Sequence, residues 1–273
     1  MSILYVGDLH GNLDATARLD AFAIARGCEA VVQVGDFGLR WKPDPLGKFF
    51  DKRGRQARKQ RATRKSVPWF TCGGNHEYWP IWKELEAASD PGDPLVELAP
   101  DVFYVKRGRV FVIDGLRHGF LGGAESSDRH SRTEGKNWWP EESPSRAELE
   151  LFFENVDDVH LDVVVTHDAP LETGTFRHED RAEQPTCRGL SRVVELAARR
   201  PRVWMFGHHH NHGTVDRQDV RGGVQVMTSY FGCGLEGQGW LLQPTGWGLP
   251  AGLPIEKIDV CPDAPRRENR RWI

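Results

Sequence analysis

The stretch Ser2-Ile3-Leu4-Tyr5-Val6-Gly7-Asp8-Leu9-His10-Gly11 sets the reading of the whole chain. Five residues from Ser2 to Val6 are the right length for a buried strand, and the run stops at a glycine followed by two side chains that can ligate a metal. The pattern returns four times. Ala30 to Val34 leads to Gly35-Asp36, and Val67 to Thr71 leads to Gly74-Asn75-His76-Glu77. Asp162 to Val165 leads to Thr166-His167, and Arg202 to Phe206 leads to Gly207-His208-His209-His210. Sites of α/β proteins are assembled in the crevice at the carboxyl ends of strands, which is where all five blocks lie.

Outward from these blocks the chain alternates strands with helices. Asn12 to Arg26 carries the apolar residues Leu13, Ala17, Phe22 and Ile24 among charges and stops at Gly27, so we expect a helix there. Strand, loop, helix and strand in succession imply a parallel or mixed sheet covered by helices. An insert at about 41–66 starts with Pro43 and Pro45 and continues as a basic helix. A short helix is expected around Ile81 to Ala88. Val102 to Val105, Arg109 to Ile113 and Gly119 to Leu121 read as a meander that begins a second sheet. A long polar loop occupies about 122–143, helices follow at Ser145 to Asn155 and Cys187 to Arg199, and strands at Gly213 to Asp216 and Gly223 to Ser229. From Gly232 to the last residue, 273, glycine and proline dominate, and the sequence specifies structure weakly.

The 273 residues are 39% hydrophobic and 27% charged, with a formal net charge of −3. Length alone permits two small domains; we read one α/β domain spanning 1–273. No run approaches the ~20 apolar residues of a membrane span. Met1 passes directly into the first strand without a basic segment, a long apolar segment or a cleavage site, so we expect a cytoplasmic protein. Cys28, Cys72, Cys187, Cys233 and Cys261 are scattered and odd in number, which argues for reduced, buried thiols rather than a disulfide framework or a zinc ribbon. Oligomeric state is not legible.

Asp, His and Asn offer hard oxygen and borderline nitrogen donors, a set suited to Mn²⁺, Fe or Zn²⁺ more than to Ca²⁺ or a thiolate-bound ion. Asp8 and His10 lie two apart, as do His208 and His210, and in an extended segment that spacing turns both side chains to one side. Each block alone is a weak signal; five in order at strand ends are not.

Taken together the blocks resemble the calcineurin-like metallophosphoesterases, in the smaller bacterial or phage-type branch. The family signature of Asp-x-His, Gly-Asp, Gly-Asn-His-Glu or Asp, a single His, and Gly-His-x-His is present in order over residues 7–210. The resemblance implies a four-layer αββα fold, two mixed β-sheets packed as a sandwich and flanked by helices. It implies that Asp8, His10, Asp36 and His210 hold one divalent ion, and Asp36, Asn75, His167 and His208 a second. Mn²⁺ is the expected ion, with Fe, Zn²⁺, Ni²⁺ or Co²⁺ as alternatives. His76 would face the substrate as general acid, and His209 would be structural. Two cations roughly 3.5 to 4 Å apart can share a hydroxide whose pKa falls toward ~7, and this hydroxide would attack the phosphorus of a phosphomonoester or phosphodiester in line.

The match to the protein-phosphatase branch is partial. Leu39 stands where that branch has an Asp orienting the catalytic His, and Gly73 replaces an Arg. Either Glu77, Asp168 or a backbone carbonyl then supports His76, or nothing does. Arg40 matches the family's phosphate-contacting Arg. Arg129 and Arg132, in the long loop, are further candidates for substrate phosphate, with Trp138 and Trp139 either stacking on a base or pinning the loop by packing.

Residues 48 to 65 hold Lys48, Lys52, Arg53, Arg55, Arg58, Lys59, Arg61, Arg64 and Lys65 against the single acid Asp51. This run could follow a nucleic-acid backbone, which makes a nuclease the alternative enzyme, or it could be a solvated helix face. A catalytically inactive scaffold of the same fold is the reading of another class. It is opposed by the presence of every ligand block and of His76.

Overall fold

The structure is a computed structural model that describes residues 2–59, 66–174, 184–221, 224–243 and 254–262. In chain order, β1 (Ser2–Val6) is followed by α1 (Leu13–Ala25), β2 (Cys28–Gln33), α2 (Pro45–Lys59), β3 (Trp69–Thr71) and α3 (Trp79–Ala88). Four strands come next, β4 (Leu95–Ala99), β5 (Val102–Val105), β6 (Val110–Ile113) and β7 (Leu116–Leu121), then α4 (Arg146–Asp158) and β8 (Val163–Thr166). The chain continues through α5 (Pro185–Leu196), β9 (Val203–Phe206), β10 (Thr214–Arg221), β11 (Val224–Gly232), β12 (Gln238–Leu242) and β13 (Ile255–Asp259).

Two mixed sheets result, one in the order β13-β12-β1-β2-β3-β5-β4 and the other β10-β11-β9-β8-β7-β6. Strand alternation explains their stacking. In β1, Ile3 and Tyr5 enter the apolar layer between the sheets with Val163, Val165, Val203 and Met205, while Leu4 and Val6 face α1 and α2. In β8 and β9 the opposite set, Val164, Trp204 and Phe206, packs under α4 and α5 with Phe152, Leu190 and Val193. The central strands β1, β8 and β9 are therefore buried on both faces, which is why they read as continuous apolar runs. The order helix, sheet, sheet, helix is the expected αββα sandwich.

Three sequence expectations differ from the structure. Val102–Val105 belongs to the first sheet, pairing in parallel with β3, so the second sheet begins at β6. The hairpin partner β4 is absent from the sequence reading, since the Pro- and Asp-rich turn before it masked a short strand. The region beyond Gly232 contributes β12 and β13: Ile3 pairs with Leu242 and Val6 with Gly239, placing β12 directly beside β1. Its partners lie more than 230 residues upstream, and local composition cannot report such pairing.

Helix α1 is capped by Asn12, whose side chain accepts from the Ala15 amide at 3.1 Å. Helix α2 buries Leu46, Phe50 and Arg53 and exposes Lys48, Lys52, Arg55 and Arg58. The basic run is thus not one solvated stripe. Arg53 Nη1 pairs with Asp20 Oδ1 at 2.6 Å, and the same oxygen accepts from Trp69 Nε1 at 3.1 Å. Positions 60–65 of that run lie outside the described residues. No helix among the described residues is long and apolar enough to cross a membrane. All five cysteines are buried and unbridged.

Candidate metal centre

The loops leaving β1 and β2 run side by side. His10 N donates to Asp36 O at 2.8 Å and Gly11 N to Phe37 O at 2.9 Å, which brings Asp8 and His10 against Asp36. From the second sheet, Gly207 N donates to His167 O at 3.0 Å, and His208 N donates to Asp8 Oδ1 at 3.0 Å. These bonds tie the donor-bearing ends of both sheets together. Two groups of donors result, Asp8 with His10 and His210, and Asp36 with His167 and His208; within each, the ligand atoms lie within 4.8 Å of one another.

Asp36 stands between the groups. Its Oδ1 is 3.3 Å from His167 Nε2 and its Oδ2 is 3.7 Å from His10 Nε2, so each oxygen faces one group. Asn75 Oδ1 lies 3.0 Å from His167 Nε2, and His10 Nε2 lies 3.3 Å from His210 Nε2. The convergence of paired residues does not come from extended backbone. Asp8, His10, Asp36, His208 and His210 all have positive φ, between 45° and 60°. Asp and His tolerate this left-handed region better than most residues, and strain of roughly 1–3 kcal/mol per residue is typical of functional sites.

The donors fit divalent cations. Asp8 Oδ2 is buried with no hydrogen-bond partner among the described residues, and His10 and His210 turn their Nε2 atoms to each other at 3.3 Å in the same donor group, nitrogen donors of the kind that ligate divalent ions. His167 Nδ1 is 2.8 Å from the Val34 carbonyl, which can only accept; Nδ1 therefore carries the proton and Nε2 is turned inward. Burial and neighbouring charges shift the members of the cluster in opposite directions. Burial pushes the Asp8 carboxyl well up, whereas His167 and His76 hold Asp36 well below the usual range against its own burial. Burial lowers His10 to about 3. It acts the same way on His167, but Asp36 outweighs it and lifts that imidazole to about 9.

The two acids adjacent to the blocks face other groups. Glu77 accepts from the amides of Phe37 at 2.8 Å and of Gly38 and Gly74 at 3.2 Å, fixing the loop that carries Asp36. Burial and then Asp36 raise this carboxyl to about 7. Asp168 Oδ1 lies 3.0 Å from His209 Nε2, so His209 is turned to Asp168. His76 instead meets Arg132, whose Nη2 is 2.9 Å from its Nδ1, while the His76 carbonyl accepts from Trp41 Nε1 at 2.8 Å. Leu39 is fully buried in the core beneath the first sheet, where an ionised Asp would be costly.

A cavity of about 340 Å³ opens from His10 and His76 and is walled by Trp41, Lys42, Arg132 and Asn137. The Arg40 guanidinium is engaged by the Leu98 carbonyl and faces Asp44 at 3.6 Å. Arg129 stacks over Trp138, 3.5 Å from the ring centroid, and pairs with Glu134 at 3.8 Å. Trp139 is buried with ring centroids of Trp41 and Tyr78 at 5.4 and 5.3 Å, a packing anchor for the loop. Two residues near the centre escaped the sequence reading. Ser126 and Glu142 are buried and hydrogen-bonded toward Asn75, and nothing in their polar loop distinguishes them beforehand.

The model of the calcineurin-like phosphoesterases matches residues 1–212 of this chain. The chain belongs to the calcineurin-like phosphoesterase family. As a member it is a hydrolase acting on phosphoric ester bonds, of a family that depends on two metal ions, and it carries two groups of candidate ligands. Among solved structures, a Thermus thermophilus protein is 17% identical with a TM-score of 0.51, covering 95% of this chain and 98% of its own. An archaeal phosphodiesterase is 11% identical with a TM-score of 0.43, covering 95% and 99%. The first of these shares the fold. A sequence comparison with curated proteins returns no match.

Proposed function

We propose that this calcineurin-like phosphoesterase hydrolyses a phosphomonoester or phosphodiester at a dinuclear centre, with His76 as general acid. Asp8, His10, Asp36 and His210 would hold one ion, and Asp36, Asn75, His167 and His208 the other. The observation that carries this reading is the Asp36 carboxylate, whose two oxygens face the two donor groups. When bound, the ions supply charge neutralisation at the phosphoryl oxygens and lower the pKa of coordinated water toward ~7.

The chain's own residues supply the rest. His76 Nε2 lies 4.0 Å from Asp36 Oδ2, beside the centre and at the mouth of the cavity, where it can protonate a departing oxygen. Arg132 lines the cavity with its guanidinium held in a two-pronged pair by Asp128, Nε at 2.7 Å and Nη2 at 3.0 Å, and its remaining N–H donors would take non-bridging phosphate oxygens. Trp41 and Lys42 offer the leaving group an apolar wall and a cation. Mn²⁺ is the ion we expect, since the donors are oxygen and imidazole without thiolate.

The test is a substrate panel with Mn²⁺, comprising an aryl monoester, an aryl diester, nucleotides, cyclic nucleotides and single-stranded DNA, with metal content measured on the same preparation. Hydrolysis of at least one ester with two ions per chain is expected. Two ions bound without turnover of any ester would return the scaffold reading, and turnover confined to DNA the nuclease.

A further inference from the structure

An asparagine offers a metal only one of its two terminal atoms. The amide oxygen can coordinate, the NH₂ cannot, and the two are nearly equal in size, so an unrestrained Asn75 could present either. Its orientation is set from the long loop. Asn75 Nδ2 donates to Ser126 Oγ at 2.9 Å, Ser126 Oγ donates to Glu142 Oε2 at 2.7 Å, and Ser126 N donates to Glu142 Oε1 at 2.9 Å. All three side chains are at least nine-tenths buried. A hydroxyl can face an amide as donor or acceptor. Glu142 accepts from Ser126 through both carboxyl oxygens, so it takes the Ser126 hydroxyl proton and leaves the Oγ lone pairs to Asn75. The amide must then turn its NH₂ to Ser126 and its Oδ1 inward, where it lies 3.0 Å from His167 Nε2.

Glu142 is itself anchored. The buried Arg107 donates to the carbonyls of Glu141, Glu142 and Ser143 at 2.8 to 3.1 Å and stacks over Trp79 at 4.3 Å. Ala124 N donates to the Glu142 carbonyl at 3.1 Å, closing the start of the loop onto its end. The carboxylate therefore starts from a fixed backbone.

We infer that Ser126 and Glu142 are positioning residues that set the amide orientation of Asn75 and thereby the affinity of the site shared with Asp36, His167 and His208. The inference rests on the proposed role of Asn75 as a ligand. Removing outer partners of ligands typically costs 10- to 100-fold in metal affinity, and a flipped amide would direct that loss to one site.

Calorimetric titration of Mn²⁺ into the metal-free chain tests it. Asn75→Ala should weaken one of two sites, which checks the ligand role itself. Ser126→Ala and Glu142→Gln should weaken that same site by ~10- to 100-fold and leave the other unchanged, while Ser126→Thr, which keeps the hydroxyl, should recover most of the affinity. If Asn75→Ala weakens a site and the two others do not, the relay is overturned and the ligand role stands. If none of them weakens a site, both fall. Equal weakening of both sites in Ser126→Ala and Glu142→Gln also overturns the relay, since general loosening gives that result. Glu142→Gln preserves side-chain volume and decides the matter alone where Ser126→Ala does not fold.

Discussion

Arg132 Nη2 lies 2.9 Å from Nδ1 and 3.2 Å from Nε2 of His76. A guanidinium has donors only, so the contact uses a lone pair on the ring and favours the neutral form of His76. Burial first, and then Arg132, lower this imidazole against the pull of Asp36. A general acid must carry a proton when the leaving group departs. In the proposed role of His76 the guanidinium would therefore have to leave the ring, and an incoming phosphate, a better acceptor than imidazole, is the group that would draw it away.

Arg132→Ala should raise KM for phosphate esters by ~10- to 100-fold, the value of a hydrogen bond between charged groups, with metal content unchanged. Arg132→Lys should recover little, because an ammonium cannot reproduce the two-pronged geometry. Steady-state kinetics on one aryl and one alkyl ester measure this, and an unchanged KM for both would remove Arg132 from the substrate.

For His76→Gln the expected loss lies in kcat and depends on the leaving group. Alkyl esters should slow by ~10²- to 10⁴-fold, the usual contribution of general acid catalysis, and activated aryl esters far less. Two ions per chain should remain. Equal losses across leaving groups would show that His76 does not donate the proton.

Gly74 marks how tightly the centre is built. A Cβ at this position would overlap Asp36 Oδ1 and the Asp36 amide nitrogen. Gly74→Ala should therefore displace the carboxylate that faces both donor groups, lowering metal content below two per chain, with an overpacking cost of about 1–3 kcal/mol. Elemental analysis beside urea unfolding reports both. Retention of two ions would mean that Asp36 can shift without consequence.

A pH prediction comes from a residue away from the centre. His118 is buried between the sheets with Nε2 2.6 Å from Tyr5 Oη, and burial lowers its imidazole to about 4. The unfolded chain binds this proton more readily, so the stability contributed is complete above the unfolded pKa of ~6.5 and is lost as pH falls toward about 4. The contribution is at most about 3 kcal/mol. Between pH 7 and pH 5, metal-free wild type should lose more unfolding free energy in urea than His118→Gln. Equal losses would show that His118 does not titrate between the folded and unfolded states.

The candidate ligand blocks were legible because their signal is local. A short apolar run, a glycine and a donor side chain declare a strand and its end within a dozen residues, and Asp8, Asp36, Asn75 and His167 each stand at such an end. The same locality limits the rest. The Leu98 carbonyl, 58 positions from Arg40, engages its guanidinium. Arg53 sits in a basic run like its neighbours, but Asp20 across the helix pair buries it. The spacing of Asp8 and His10 suggested extended backbone, whereas left-handed turns accomplish the convergence.

By itself, then, the sequence determined the donor types, their order and the α/β character of the strands that carry them, since composition and period act over a few residues. Only the tertiary structure decided what each donor faces. β12 beside β1, Arg132 against His76, and Glu142 reaching Asn75 through Ser126 join residues 56 to 239 positions apart or chain two contacts in series. Such pairings depend on packing two sheets and a loop into one volume, where burial forces every polar group to find whichever partner the fold brings within reach.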